Sequence, residues 1–109
     1  MKSLDYMKVI DIISKLFEAD RKVDLKASHE KKIDIFEIQA KCHDGSTLAY
    51  DIHLKPNEMD VIIPKKYFDS KNFSKWISQF EYEMEQTFFR NVKIDVHKEA
   101  IDYRIVIMM

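Results

Sequence analysis

The sequence predicts an α+β domain in which an antiparallel sheet of five to six strands carries two helices on one face, in the order α-β-β-β-(β)-α-β-β. Three observations predict this class. Two stretches place apolar residues at three- and four-residue steps, the period of a helix with one buried side. Several shorter stretches alternate apolar and polar residues, the period of a strand. The connections leave no room for parallel crossovers, and 109 residues suffice for one domain with one core.

Residues 33–54 predict a β-hairpin, because apolar residues alternate on both sides of the only glycine, Gly45. A two-residue turn would send the two apolar sets to opposite faces of the sheet. A three-residue loop at residues 43–45 keeps both sets on one face and puts Gly45 at the left-handed position of the loop. The facing pairs are then expected to be Ala40 with Leu48, Ile38 with Tyr50 and Phe36 with Ile52.

The two predicted helices flank most of the strands. Residues 4–19 form the first, with Ser3 as the expected N-cap, and residues 71–89 form the second, with Asp69 or Ser70 as its cap. The apolar stripe of the first helix comprises Tyr6, Val9, Ile10, Ile13, Leu16 and Phe17. That of the second comprises Phe73, Trp76, Ile77, Phe80, Met84 and Phe88.

Further strands are predicted at residues 22–27, 59–63, 92–96 and 101–109. The polar run at residues 28–31 is typical of a turn, and residues 55–58 predict a loop because Pro56 cannot donate to a strand ladder. Tyr103, Ile105 and Ile107 should share one face of the last strand. An antiparallel sheet covered by both helices on one side is the simplest arrangement of these elements.

A faint internal repeat accompanies this order. A shift of 71 residues lays the first helix on the second and residues 22–25 (Lys-Val-Asp-Leu) on residues 93–96 (Lys-Ile-Asp-Val). A degenerate αββ repeat, residues 4–42 and 75–109 of the single domain 1–109, explains the match. Amphipathic periodicity alone explains it as well, and the sequence leaves the two explanations open.

Composition limits the class of protein and its compartment. A net charge of −1 gives no electrostatic case for a nucleic-acid binder. The single cysteine, Cys42, cannot form an internal disulfide and is expected to pack in the core. No apolar run approaches the roughly 20 residues that span a membrane, and the N-terminus lacks a signal-peptide block, so we expect a cytoplasmic protein. Abundant lysine and isoleucine with a single glycine indicate AT-rich coding, as in a low-GC bacterium or its phage or mobile element.

The residues that could carry chemistry form no recognisable catalytic motif. Cys42 and His43 are adjacent, and in a strand they would point to opposite faces, which argues against a shared metal ion. Glu37 should pair with Asp51 on the outward face, with His53 beside them, and that group could be simply solvated, contact a basic partner or hold a divalent cation. The serines lie near predicted turns, helix ends and polar helix faces, without a triad context. We therefore expect no enzymatic activity, no cofactor and no metal site.

Two sets of apolar residues lack an obvious place in the core. Tyr82 and Phe89 lie opposite the apolar stripe of the second helix, and Ile33, Ile35, Val106 and Met108 are expected on the helix-free face of the sheet. Contiguous exposed apolar surface indicates a binding partner, whereas scattered exposed apolar residues need no function, and the sequence leaves both explanations open. The sequence therefore predicts a non-enzymatic interaction module, an adaptor or inhibitor-like protein. It should bind a protein partner or a second copy of itself, as a homodimer, through an exposed apolar sheet face.

A nucleic-acid-contacting accessory protein is the alternative. Basic residues gather in residues 55–75, close in sequence to Tyr67 and Trp76, and lysines beside aromatic rings can hold a single-stranded backbone. Acidic residues interrupt the run, so charge that maintains solubility is an equally simple explanation. The lysines concerned are Lys55, Lys65, Lys66, Lys71 and Lys75.

Overall fold

The computed structural model describes residues 5–108, and it confirms an α+β fold with one six-stranded antiparallel sheet and two helices. A short 3₁₀ turn, Lys65–Phe68, joins the fourth strand to the second helix. The elements in chain order are α1 (Tyr6–Leu16), β1 (Asp24–Glu30), β2 (Ile33–Lys41), β3 (Thr47–Leu54), β4 (Glu58–Pro64), α2 (Phe73–Phe88), β5 (Lys93–Lys98) and β6 (Asp102–Met108).

The strand order in the sheet is β1-β2-β3-β4-β6-β5. The chain runs through β1 to β4 as neighbours, crosses the sheet with α2, returns along the far edge as β5 and closes with β6 against β4. The edges are therefore β1 and β5, and β2 and β6 lie next to them. This symmetric placement follows from the strand order, and duplication of an αββ unit stays a prediction.

The β2–β3 hairpin has the predicted register, with Phe36 opposite Ile52 and Ala40 opposite Leu48. Its loop has three residues, because the Cys42 amide donates to the Ser46 carbonyl across 2.8 Å. Gly45 has a φ of +90°, the conformation for which a glycine was expected at this position.

The core lies between the two helices and the sheet face that they cover. Alternate strand residues point into it, so every second position of β2, β3, β4 and β6 is apolar except Asp34 at the start of β2. Its most deeply buried members include Ile10, Ile13, Ile38, Leu48, Ile52, Met59, Ile63, Phe80, Met84, Ile105 and Ile107. Cys42 is half-buried and packs against this core.

Both helices are shorter than predicted, and their caps differ. Ser3 lies outside the described residues, and α1 begins after Asp5, whose carboxylate accepts the Met7 amide at 2.9 Å. The predicted caps of α2 are wrong. Asp69 is still in helical conformation at the end of the 3₁₀ turn, and the extended residue with a free side chain is Asn72, which accepts the Lys75 amide at 3.2 Å.

The turn predicted at residues 28–31 is also wrong. Residues 28–30 continue β1, and the turn consists of Lys31 and Lys32, with Lys31 at a φ of +58°. The polar sequence resembled a turn, but β1 is an edge strand whose side chains are mostly exposed. An edge strand tolerates charge, and the neighbouring strand supplies pairing as far as Ile33.

Candidate functional site

Tyr82 and Phe89 form an exposed pair on the outer side of α2, which we call the α2 aromatic surface. The exposed fractions are 61% for Tyr82 and 93% for Phe89. They are seven positions apart in the chain. Helical periodicity places Tyr82 on the side opposite the buried Trp76, Phe80 and Met84, and Phe89 is the C-cap that ends α2. Their predicted exposure is confirmed.

The backbone of Phe89 is also unusual. Phe89 is the C-cap of α2, with φ 54° and ψ 36°, in the left-handed region. Helices commonly end in this conformation, but with glycine or asparagine, because a Cβ there costs about 1–2 kcal/mol. A phenylalanine that is almost fully exposed gains little packing energy to offset this cost. Neither burial nor backbone preference explains the side chain at this position.

Charged residues flank the α2 aromatic surface, and the exposed Arg90 directly follows Phe89. Glu81 and Glu85 are exposed on either side of Tyr82, and neither takes part in an ion pair among the described residues. Glu83, by contrast, accepts the Lys15 ammonium at 2.7 Å and so links α2 to α1. The surface therefore combines two aromatic rings with two available carboxylates.

Two other exposed apolar side chains were not anticipated. Met7 on α1 is 43% exposed, and Ile101, between β5 and β6, is 76% exposed. Ile101 was expected to begin the last strand, but that strand begins at Asp102. The alternating pattern could not reveal this, because a turn residue and a strand end look alike in it.

The helix-free face of the sheet does not carry the exposed apolar patch predicted for it. Val106 is only 6% exposed, and Ile33, Ile35 and Met108 are half-buried. The sheet also separates the two apolar residues of β2 from the two of β6, because β3 and β4 lie between these strands. In this register His53 and Asp60 lie between Ile35 and Val106. The expected exposure of Val106 is wrong, and the four side chains are not contiguous.

A buried ionic cluster around Asp60 accounts for much of the difference between the predicted and the observed exposure of the helix-free face. The Asp60 side chain is 1% exposed, although it lies on the face without helices. Its Oδ2 atom accepts the Lys55 ammonium at 2.8 Å and Arg104 Nη1 at 2.7 Å, and Arg104 Nε also donates to Glu99. Asp60 lies directly opposite Val106 in the sheet, and the apolar stems of long basic side chains that reach such a carboxylate can cover neighbouring apolar surface.

The second Asp60 oxygen, Oδ1, is buried without a hydrogen-bond donor. Burial by itself would raise the pKa of Asp60, but bonds from Glu58, Lys55 and Arg104 outweigh it and hold that pKa below its usual value. The hydrogen bond with Asp60, followed by burial, raises the pKa of Glu58. Sequence analysis missed this site, and the only signal was one aspartate inside the apolar run of β4.

Glu37 and Asp51 lie directly opposite each other on the helix-free face, as predicted. Together with Asp102 they line a depression of about 270 Å³. Partial burial raises the pKa of Asp51, and the carboxylates of Glu37 and Asp102 raise it further, while His53 acts in the opposite direction. Within residues 5–108 no group of three or more His, Cys, Asp and Glu side chains is placed to hold a metal ion.

The five lysines of the nucleic-acid alternative do not form one surface. Lys55 lies on the helix-free face, bound to Asp60, and Lys75 is exposed on α2. The others lie over aromatic rings: Lys65 is 5.6 Å from the Tyr103 ring, Lys66 is 5.3 Å from the Tyr67 ring and Lys71 is 5.8 Å from the Phe17 ring. Trp76 is 4% exposed, so its ring is not available to stack on a base.

The nucleophilic side chains show no activating arrangement in the described part of the chain. The sequence predicted that Ser14, like the other serines, lies near a turn, a helix end or a polar helix face. It is instead fully buried on the core side of α1, and its hydroxyl has no hydrogen-bond partner among the described residues. Cys42 and His43 line the same depression of about 300 Å³, because His43 belongs to the hairpin loop and not to the strand. No hydrogen bond joins them there, and His43 instead approaches Asp20 at 3.8 Å.

Comparison with protein-family models, with curated proteins and with solved structures found no match to this chain. Across residues 5–108, no helix combines the length and the apolar character that crossing a membrane requires.

Proposed function

We propose that this protein is a non-enzymatic interaction module that binds a protein partner through the α2 aromatic surface. The single observation that carries the proposal is Phe89, a residue 93% exposed in a backbone conformation that disfavours it. A residue that lowers the stability of the isolated fold is best explained by a contact outside it.

The size and geometry of the α2 aromatic surface suit such a contact. An aromatic side chain buries about 150–250 Å² when it is covered, and tyrosine is enriched among residues that dominate binding energy. Tyr82 lies on α2 and Phe89 at its C-cap, and two anchors so placed on and beside one helix can enter a single groove, as in helix-in-groove recognition. We therefore propose a partner with an apolar groove, and basic residues at its rim would complement Glu81 and Glu85.

Affinity capture from cells of the source organism, with mass-spectrometric quantification, tests the proposal. The test variant combines Tyr82→Gln with Phe89→Gly, and the matched control combines Met7→Gln with Ile101→Ser, which removes exposed apolar surface elsewhere. We expect one partner to be recovered with the wild type and the control and lost with the test variant. Equal recovery with both variants, or no specific partner for the wild type, would refute the proposal.

Protein stability separates lost binding from lost folding. Phe89→Gly relieves the left-handed conformation and should raise the free energy of unfolding by about 1 kcal/mol. If the variant with Phe89→Gly is more stable in urea and still does not bind the partner, the lost binding results from the altered surface and not from unfolding. If Phe89→Gly lowers the stability, Phe89 has a structural role, and the argument from strain fails.

A further inference from the structure

The helix-free face of the sheet concentrates negative charge. Strand residues that point to this face carry eight carboxylates and four basic groups, a formal charge of −4, while the whole chain carries −1. The remaining residues of the chain, which include the loop residue Lys55 on the same face, therefore carry +3. The acidic residues are Asp24, Glu30, Glu37, Asp51, Glu58, Asp60, Asp95 and Asp102, and the basic ones are Lys26, Lys41, Lys93 and Arg104.

Two adjacent depressions cross this face, and we call them together the sheet groove. A cavity of about 340 Å³ over β1 and β2 and one of about 270 Å³ over β2 to β6 share Glu37 and Gln39 as lining residues. Small or short side chains such as Ala49 and Pro64 line its inner part. Strands lie about 4.8 Å apart, so a groove from β1 to β6 spans four spacings, roughly 19 Å, the length of about six extended residues.

The charge in the sheet groove is not balanced within the described residues. No salt bridge is formed there by Asp24, Glu37, Asp51 or Asp102, whereas Asp60 on the same face has two basic partners. Lys26 of β1 lies directly opposite Glu37 and also lines the groove without an ion pair, so four carboxylates face one lysine. Like charges directly opposite each other, such as Glu37 and Asp51, weaken a sheet, and a cationic ligand would remove this cost.

We propose that the sheet groove binds an extended lysine- or arginine-rich segment of a protein, at a surface separate from the α2 aromatic surface. Guanidinium groups pair with carboxylates in bidentate fashion, and the apolar stems of such side chains can lie along Ala49, Ile62 and Pro64. The uncovered sheet face is long enough for an extended segment, and the charge of −4 on its strand residues favours a basic one. The protein then has two docking surfaces of different chemistry, as an adaptor requires.

Titration of labelled hexa-arginine, followed by fluorescence anisotropy and by backbone amide shifts, tests this proposal at low salt. The test variant combines Glu37→Gln, Asp51→Asn and Asp102→Asn. The control combines Asp11→Asn, Glu18→Gln and Asp69→Asn, which removes the same charge from exposed positions outside both proposed docking surfaces. We expect the test variant to weaken binding at least tenfold, a difference of about 1.4 kcal/mol. The control should change it less than threefold, and wild-type shifts should centre on Gln39 and Ala49.

A second variant keeps the proposal testable if the triple substitution disturbs the sheet. Ala49→Arg places a guanidinium in the sheet groove and should abolish peptide binding, while Ala49→Ser should not. Equal weakening by the test and control triples, shifts centred on α2, or no saturable binding by the wild type would overturn the proposal. Competition by spermine as strong as that by hexa-arginine would also overturn it, because a diffuse polycation would then suffice.

Discussion

At the scale of single residues, Asp60 and Gly45 show two different ways in which one position is determined. Gly45 is required by its backbone, and no atom outside its neighbours lies within 4 Å of a Cβ built there. Asp60 is required by its partners, Lys55 on the β3–β4 loop and Arg104, which lies 44 residues further along the chain. The first constraint is local and the second is not.

Gly45→Val should lower the free energy of unfolding by about 1–2 kcal/mol, because a β-branched side chain is strained at a φ of +90°. The space around the position is open, so the cost comes from conformation alone. Urea unfolding monitored by circular dichroism measures it. Gly45→Asn is the matched control and should cost less, since asparagine tolerates this region better. An unchanged urea midpoint for Gly45→Val would contradict the turn geometry.

Asp60→Asn should destabilise the fold by about 2 kcal/mol, because Lys55 and Arg104 lose a charged acceptor and the buried site keeps unsatisfied donors. High salt should change this loss little, since the Asp60 side chain is 1% exposed. Glu99→Gln, which removes the exposed partner of Arg104, is the control and should cost less than about 0.5 kcal/mol. Chemical denaturation at low and high salt measures the loss of stability in Asp60→Asn and in Glu99→Gln.

The effect of Asp60 on stability has a defined pH dependence. The pKa of Asp60 is lowered in the fold, so its carboxylate contributes fully above the unfolded pKa, near 4, and the contribution is lost as the pH falls through the lowered value. The stability difference between wild type and Asp60→Asn should therefore narrow from pH 7 to pH 2. An equal difference at both ends would show that the charge of Asp60 is not what matters.

At the scale of elements, the β2–β3 hairpin was predictable in register and in loop length, whereas the ends of β1 and the caps of both helices were not. The hairpin is fixed by an alternating pattern and a glycine that lie within 22 residues of each other. The extent of β1 depends on how far β2 runs beside it. The N-cap of α2 depends on Phe68, whose burial fixes the preceding 3₁₀ turn.

The Glu37–Asp51 pair gives a prediction for these two strands. Asp51→Asn should stabilise the protein by a few tenths of a kcal/mol, since like charges directly opposite in a sheet repel. Adding Glu37→Gln should give little more, because the repulsion is then already gone. A double-mutant cycle in urea measures this coupling. Fully additive gains from the two substitutions would show that the pair does not interact.

Lowering the pH should reduce the difference in stability between Asp51→Asn and the wild type. The pKa of Asp51 is raised in the fold, so the wild type gains stability as the pH falls through that pKa, and Asp51→Asn lacks this gain. The stability advantage of Asp51→Asn at pH 7 should therefore disappear in acid. Thermal melts of the wild type and Asp51→Asn at pH 7 and in acid measure this change. Asp69→Asn, which neutralises an exposed carboxylate elsewhere, is the control.

At the scale of the whole molecule, the separation of charge matters more than the net charge. The strand residues on the helix-free face carry −4 and all other residues +3, and the lysines of residues 65–71 lie over aromatic rings. Bases cannot stack on rings that are buried or already covered by ammonium groups. The lysine run that suggested a nucleic-acid interface in the sequence therefore has a different arrangement in the fold.

Single-stranded DNA or RNA 20-mers should bind more weakly than about 100 µM at low salt, the weak end of ordinary non-specific binding. Fluorescence anisotropy with labelled oligonucleotides measures this affinity. Tighter binding that falls steeply with salt, and that is lost in a Lys65→Gln, Lys66→Gln and Lys71→Gln variant, would instead support the nucleic-acid alternative.

Local patterns sufficed to predict the fold class, the hairpin register and the exposure of Tyr82 and Phe89, because periodicity and a single glycine act over short stretches of chain. The folded protein was needed to show that β6 joins β4, that Asp60 and Val106 are buried on a face without helices, and that four carboxylates line the two depressions of the sheet groove. These features depend on which side chains meet across strands far apart in the chain. No local pattern records that information, because strand pairing at long sequence separation is fixed by packing of the whole sheet.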